Sequence, residues 1–345
     1  MSNLESILYL AGGAGGRIQL KYSQRAIGGL EVLVRVTHSG VCGTDVHDRT
    51  SGCGLGHEGV GEVEKVGDCV TAVKVGMRLA IFGTSCGHCR ECVSGYRQYC
   101  PESRGQKYGE LEQGAFGNVV IKHQDFVYPI PEEIESKYAG PLQCAGITVY
   151  EALHIAGAKP HDRVGIVGLG GLGHLAVQYA RAWGCEPVVF TRDHDDKVND
   201  ALKLGAGKIV RLPDPGDPQP IEEDINVLLL CGSELPDFEL FMPVLARRAT
   251  IVPLIIQGQP LVIPYMPFIL PGHRIIGSTE ASRKNHIDAL TFAARHKIRP
   301  WIEEFPMTAK GLTEALDKLQ SGKVRYRAVL SHELGSDFNQ RGYRI

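Results

Sequence analysis

Four cysteines fall within one short stretch, Cys86-x2-Cys89-x2-Cys92-x7-Cys100, at a spacing that lets four thiolates reach a single ion. A tetrahedral all-cysteine zinc site needs such a compact loop, and with every coordination position filled it has no room for substrate or water. A site of this kind contributes fold stability rather than chemistry. The bland alternative is four free thiols, and C-x2-C repeated within one loop weighs against it. A second set is dispersed: Cys42 in Gly40-Val-Cys-Gly-Thr-Asp-Val-His47, His57 in Gly56-His-Glu-Gly59, and Cys144 in Pro141-Leu-Gln-Cys-Ala-Gly-Ile-Thr-Val-Tyr150. Two cysteines and one histidine with a fourth position open form the ligand pattern of a catalytic zinc. Taken alone, a histidine such as His57 is more often a hydrogen-bonded structural residue and a cysteine such as Cys144 a small core side chain, and only their combination with the other motifs raises them. Cys53, Cys69, Cys185 and Cys231 stand singly and read as small, mostly buried side chains.

A third feature is the turn Gly168-Leu-Gly170-Gly-Leu-Gly173, which follows the apolar run 164–167 and opens the helical pattern 174–183. Between a strand and a helix, G-x-G-x-x-G supplies a tight turn, close approach of backbone to a pyrophosphate, and close packing. The helix N-terminus adds N–H donors and a partial positive charge. Gly168, Gly170, Gly171, Leu172 and Gly173 are therefore candidate cofactor-binding residues. The next strand closes with Phe190-Thr191-Arg192 before Asp193. Counting from the glycines picks Asp193, an acid that would signal NAD. If the strand ends at Thr191, the reader is a small hydroxyl followed by Arg192, which suits a 2′-phosphate, and NADP(H) is favoured over NAD(H). Gly12-Gly-Ala-Gly-Gly16 is as rich in glycine but runs into the alternating Arg17-Ile-Gln-Leu20, so it reads as a turn between strands.

The elements that must position these residues follow from patterning. Residues 1–145 carry short β-rich runs such as Glu31-Val-Leu-Val-Arg-Val-Thr37, whereas 146–296 alternate strand and helix, the pattern of a parallel sheet with crossover helices. Residues 297–345 return to mixed signals, with a helix near 310–320 and a strand near 326–330, and are expected to fold back onto the first domain. The proline-rich stretch 212–220 reads as a surface loop. A chain of 345 residues favours about two domains. Its 37 Lys and Arg against 39 Asp and Glu form no like-charged block, which argues against a nucleic-acid partner. No apolar run is long enough to span a bilayer and residues 1–5 lack the features of a signal peptide, so a cytoplasmic protein with no membrane partner is expected.

Taken together these motifs resemble the zinc-dependent medium-chain alcohol dehydrogenases, nearest the branch of yeast-type and cinnamyl alcohol dehydrogenases. The resemblance covers nearly the whole chain and rests on Gly-Val-Cys42-Gly-Thr-Asp-Val-His47, Gly-His57-Glu58-Gly-Val-Gly, the four-cysteine loop, Cys144-Ala-Gly-Ile-Thr-Val-Tyr, the glycine turn with His174-Leu-Ala-Val-Gln, and Val324-Arg-Tyr-Arg327. It implies an α/β protein, a GroES-like catalytic domain joined to a Rossmann doubly wound parallel sheet. It implies two zinc ions per chain: a catalytic one on Cys42, His57 and Cys144, and a structural one on the four-cysteine loop. Glu58 would be a transient ligand, Asp45 would support His57, Thr44 and His47 would relay the proton, Thr148 would lie near the nicotinamide, and Arg327 would reach the pyrophosphate. The implied reaction moves a hydride between the cofactor and an alcohol/aldehyde pair, in a homo-oligomer, dimer or tetramer. Polyol oxidation, reduction of an iminium or conjugated carbonyl, or a non-catalytic homologue are the competing readings. Only fourteen residues separate Cys42 from His57, fewer than the family usually has, and Gly43 stands where yeast-type members often carry histidine.

Overall fold

The computed structural model describes residues 4–103, 111–192, 195–212 and 224–339. Asp193 and the stretch 213–220 lie outside the described residues. The chain divides into two compact units, one of Met1–Cys144, Ser282–Ala294 and Pro300–Ile345, the other of Ala145–Ala281 and Arg295–Arg299.

In the first unit the strand Glu31–Val41 is the spine. Its β-branched side chains Val32, Val34 and Val36 enter one apolar cluster, while Leu33 on the opposite pleat enters another, so both faces are covered. Glu58–Val66 and Arg327–Ser336 flank it antiparallel, with Val119–His123 pairing its first half. The registers decide where the chemistry lies. Gly40 faces Glu58 and Val41 faces Ala328, so Cys42, His57, Glu58 and Arg327 all arrive at the same end of the sheet. Gly40 makes room there: a Cβ on it would sit 1.9 Å from Glu58 Oε2. At the chain start, Glu5–Ala11 and Gln19–Arg25 pair antiparallel, with Gly12 to Gly16 in the turn between them as read from the sequence. The helix Ala309–Gln320 joins the parallel strands Ile302–Met307 and Arg327–Ser336, where the sequence placed a helix and a strand.

The second unit is a six-stranded parallel sheet in the order Lys208–Arg211, Glu186–Thr191, Arg163–Val167, Ile225–Leu230, Leu245–Pro253, Arg274–Ile275. Numbered within the unit, this is 3-2-1-4-5-6, the doubly wound order that binds dinucleotides. Its strands are continuous apolar runs such as Val227-Leu-Leu-Leu230, as expected of strands covered on both faces. The helix Gly173–Trp183 follows the first strand and stops at Gly184, whose φ of 94° is the left-handed cap that glycine adopts without strain. The helix Arg283–His296 departs from the sequence reading, which ran the strand–helix domain to residue 296: residues 282–294 cluster with the first unit. Periodicity announces a helix but not the surface it packs on. Here His286 is buried against Gln143 and Tyr128. No helix of the described residues is long and apolar enough to cross a membrane.

Candidate active site

The connection from Cys42 to His57 is organised by one carboxylate. Cys42 follows the central strand as the N-cap of the short helix Gly43–His47, and Asp45, in the first turn of that helix, is 2% exposed. Asp45 Oδ2 accepts from the Cys42 backbone N–H at 2.8 Å and Oδ1 accepts from that of Gly56 at 3.0 Å, pinning both ends of the loop. The same Oδ1 lies 3.6 Å from His57 Nδ1. A carboxylate on one ring nitrogen turns the other toward a metal. Thr44 and His47, three residues apart on one helix face, complete the segment: Thr44 Oγ1 is 3.8 Å from Cys42 Sγ, and His47 is exposed to solvent.

Cys144 arrives from a π-helical turn, Leu142–Gly146, between the helices Ser136–Pro141 and Ile147–Ala156. The donor atoms of Cys42, His57, Glu58 and Cys144 all lie within 4.8 Å of one another, and so do those of Cys86, Cys89, Cys92 and Cys100. The sulfur separations test the fit. Tetrahedral zinc with Zn–S of about 2.3 Å sets neighbouring sulfurs about 3.8 Å apart. Cys42 and Cys144 are 3.7 Å apart, Cys86 and Cys92 4.0 Å, and Cys89 and Cys100 3.8 Å. Both sets match the ion in donor chemistry and in spacing. The contact with Cys144 holds the Cys42 thiol well below the usual thiol range, while the same contact, and after it burial, pushes Cys144 well above it.

Glu58 is fully buried, and its Oε1 accepts a hydrogen bond from Arg327 Nη2. Oε2 has no hydrogen-bond partner among the described residues. Burial raises the carboxyl to about 7 against the opposing pull of Arg327. Sequence reasoning had sent Arg327 to a pyrophosphate; the partner the structure provides for it is Glu58.

On the second unit the glycine turn is built as its sequence implies. A Cβ on Gly173 would meet Gly168 O at 2.0 Å, and one on Gly168 would meet Gly232 Cα at 2.7 Å, so both positions exclude a side chain. A Cβ on Gly170 would meet nothing within 4 Å, leaving a cradle open to a ligand's phosphates. Gly171 and Leu172 lead into the helix, and Leu172, its N-cap, makes no side-chain capping bond. His174 Nδ1 donates to Gly170 O at 2.9 Å and stiffens the turn. Thr148 is half-buried on the helix Ile147–Ala156, between buried Ile147 and Val149. The strand Glu186–Thr191 ends at Thr191, which is buried, and Arg192 follows exposed.

Three features of the first unit had no signal in the sequence. The Phe82 ring stands edge-on to His57 at 6.0 Å. Arg97, carried by the four-cysteine loop, lies over that ring at 5.7 Å. His286 lies 5.6 Å from Phe82 and is stacked on Tyr128 at 3.7 Å. Burial, and after it the charge of Arg97, holds His286 well below its ordinary value, so it is neutral in the fold. A lowered folded pKa stabilises fully above the unfolded value of about 6.5, and that contribution drains away as pH falls from there toward the folded pKa. Tm is expected to drop on acidification from about pH 7.5 to about pH 5.5, and to drop less in the double variant His286→Phe with Gln143→Leu, which leaves no unpaired amide behind. Equal slopes in the two proteins would refute this role for His286.

Comparison with known proteins completes the picture. Residues 28–132 match the alcohol dehydrogenase GroES-like domain, and residues 171–295 match the zinc-binding dehydrogenase domain. An alcohol dehydrogenase of Geobacillus stearothermophilus is 35% identical over 313 residues, 87% of this chain and 91% of its own length. The chain belongs to the zinc-binding medium-chain alcohol dehydrogenases. The NADP-dependent alcohol dehydrogenase 6 of Saccharomyces cerevisiae is 32% identical over 328 residues, 90% of this chain and 91% of that one. Among solved structures, a cinnamyl alcohol dehydrogenase from Sorghum bicolor superposes with a TM-score of 0.88 at 28% identity, covering 98% of this enzyme and all of its own chain. The enzyme is thus a zinc-binding oxidoreductase that interconverts alcohols and aldehydes with a nicotinamide cofactor, on a GroES-like and Rossmann α/β fold.

Proposed function

We propose that the enzyme prefers NADP(H) and holds two zinc ions per chain, one on Cys42, His57 and Cys144 and one on Cys86, Cys89, Cys92 and Cys100. The observation that carries the metal reading is the convergence of two separate donor sets, the Cys42 and Cys144 sulfurs 3.7 Å apart beside His57 and Glu58 in one, and four thiols in the other. When bound there, zinc supplies Lewis-acid polarisation of the substrate oxygen and the nicotinamide supplies or accepts the hydride.

The chain's own groups do the rest. Asp45 orients His57 through Nδ1, and buried Glu58 is a carboxylate in reserve behind the ligands, the transient ligand of the site. Thr44 passes the proton of the substrate hydroxyl toward His47, whose exposed imidazole exchanges it with solvent. Gly168, Gly170, Gly171, Leu172 and Gly173 receive the pyrophosphate, and Thr148 lies at the nicotinamide. Thr191 and Arg192 close the second strand with a hydroxyl and a guanidinium, the pair that suits a 2′-phosphate. A homo-oligomer, dimer or tetramer, is part of the reading. The exposed apolar side chains Val262, Tyr265, Met266 and Leu270 are a surface that a second copy would cover.

Elemental analysis tests the metal content, and the two ligand sets predict two zinc ions per chain. Cys89→Ser should lower Tm and soluble yield, because it opens the closed site, while turnover per folded molecule persists. One zinc per chain with turnover intact would remove one of the two assignments.

A further inference from the structure

Gln143, the residue before Cys144, is fully buried, and both ends of its amide are held. Its Nε2 donates to Ala139 O at 2.9 Å, one helical turn back. Its Oε1 accepts from His286 Nε2 at 2.5 Å, across 143 residues of sequence. Because Ala139 O can only accept, the amide orientation follows from the network, and so does the proton on His286 Nε2. His286 Nδ1 has no hydrogen-bond partner among the described residues. The ring is itself clamped, parallel to Tyr128 within 3°. A buried side-chain amide hydrogen-bonded at both ends holds its turn rigidly, because breaking either bond would leave a buried polar group without a partner. π-Helical turns are commonly placed at functional sites, and this one carries Cys144.

We propose that Gln143 and His286 form a positioning pair that locks the Leu142–Gly146 turn so that Cys144 Sγ is aimed at the Cys42–His57 centre. The same imidazole backs Phe82, which stands edge-on to His57, so one buried ring steadies the approach of two of the three ligands. The pair touches neither substrate nor reacting atoms and acts only through Cys144 and His57. The proposal rests on the reading that those residues hold zinc.

The test is zinc affinity, measured on the full zinc-loaded chain by competition with a chelator, beside the Tm of each protein. Cys144→Ser identifies the site and should remove one of two zinc ions. Removing one partner alone leaves a buried polar group unsatisfied and could unfold the turn, so the informative protein is the double variant Gln143→Leu with His286→Phe. It replaces both partners by apolar groups and retains a ring against Tyr128 and Phe82, a change that can be nearly neutral for folding. The double variant is expected to keep a Tm close to wild type and to lose about tenfold or more in affinity for the zinc that Cys144→Ser removes, the usual cost of losing groups that orient a ligand. His286→Gln, which keeps an N–H donor toward Gln143, should restore most of that affinity. Wild-type zinc affinity in the double variant would overturn the proposal while leaving the metal site standing. Two zinc ions retained in Cys144→Ser would overturn the ligand reading and the proposal with it.

Discussion

The variants Cys42→Ser and His57→Ala are expected to lose aldehyde-dependent NADPH oxidation by about a thousandfold or more, since a Lewis acid at the reacting oxygen contributes several kcal/mol to the transition state. The fold should survive. Both residues sit at the end of the sheet, whereas the core of the first unit is built on Val32, Val34 and Val36 against side chains such as Phe116 and Leu330. Circular dichroism and Tm close to wild type, with turnover gone, is the predicted pair of results. Turnover within about tenfold of wild type in either variant would be incompatible with these residues holding the reactive metal.

The second large effect concerns the cofactor. A carboxylate at the end of the second strand would accept from ribose hydroxyls and repel a 2′-phosphate, whereas a hydroxyl followed by a guanidinium does the opposite. With Thr191 ending the strand and Arg192 next, NADPH should exceed NADH in kcat/KM. Arg192→Ala should raise KM for NADPH and leave NADH nearly unchanged, because the charge-assisted bond exists only with the phosphorylated cofactor. Such a bond is worth about 1.5 to 3 kcal/mol, or roughly 10- to 150-fold. Steady-state kinetics with both cofactors decide the matter, and a wild-type preference for NADH would return the reader's role to Asp193.

Why some of this was legible in sequence and some was not has a physical basis. The four-cysteine loop announces itself because its ligands are near neighbours in the chain, so the spacing is the geometry. The glycine turn is legible for a similar reason: strand, turn and helix are contiguous, and steric demands at Gly168 and Gly173 leave no other residue type. Cys144 lies 87 residues beyond His57 in the chain; the register of Gly40 on Glu58 brings Cys42 and His57 to one end of the sheet, and the helix before Cys144 packs there, where a Cβ on Gly140 would meet Gly40 N at 2.9 Å. Residue types alone left His57 and Cys144 with ordinary alternatives, and resemblance to a family was needed to join them. Glu58 with Arg327, and Gln143 with His286, lie beyond that reach. Their pairing crosses 269 and 143 residues, and a buried glutamine or histidine has no mark in sequence until its partner is seen. The helix Arg283–His296 belongs to the same class, since its attachment to the first unit depends on where His286 finds an acceptor.

The most direct test of the central claim is to count zinc and measure NADPH oxidation on the same preparations of wild type and Cys42→Ser. The account predicts two zinc ions and turnover with an aldehyde in the wild type, against one zinc ion and no turnover in the variant. Two zinc ions retained in Cys42→Ser, or undiminished turnover with only one, would contradict it.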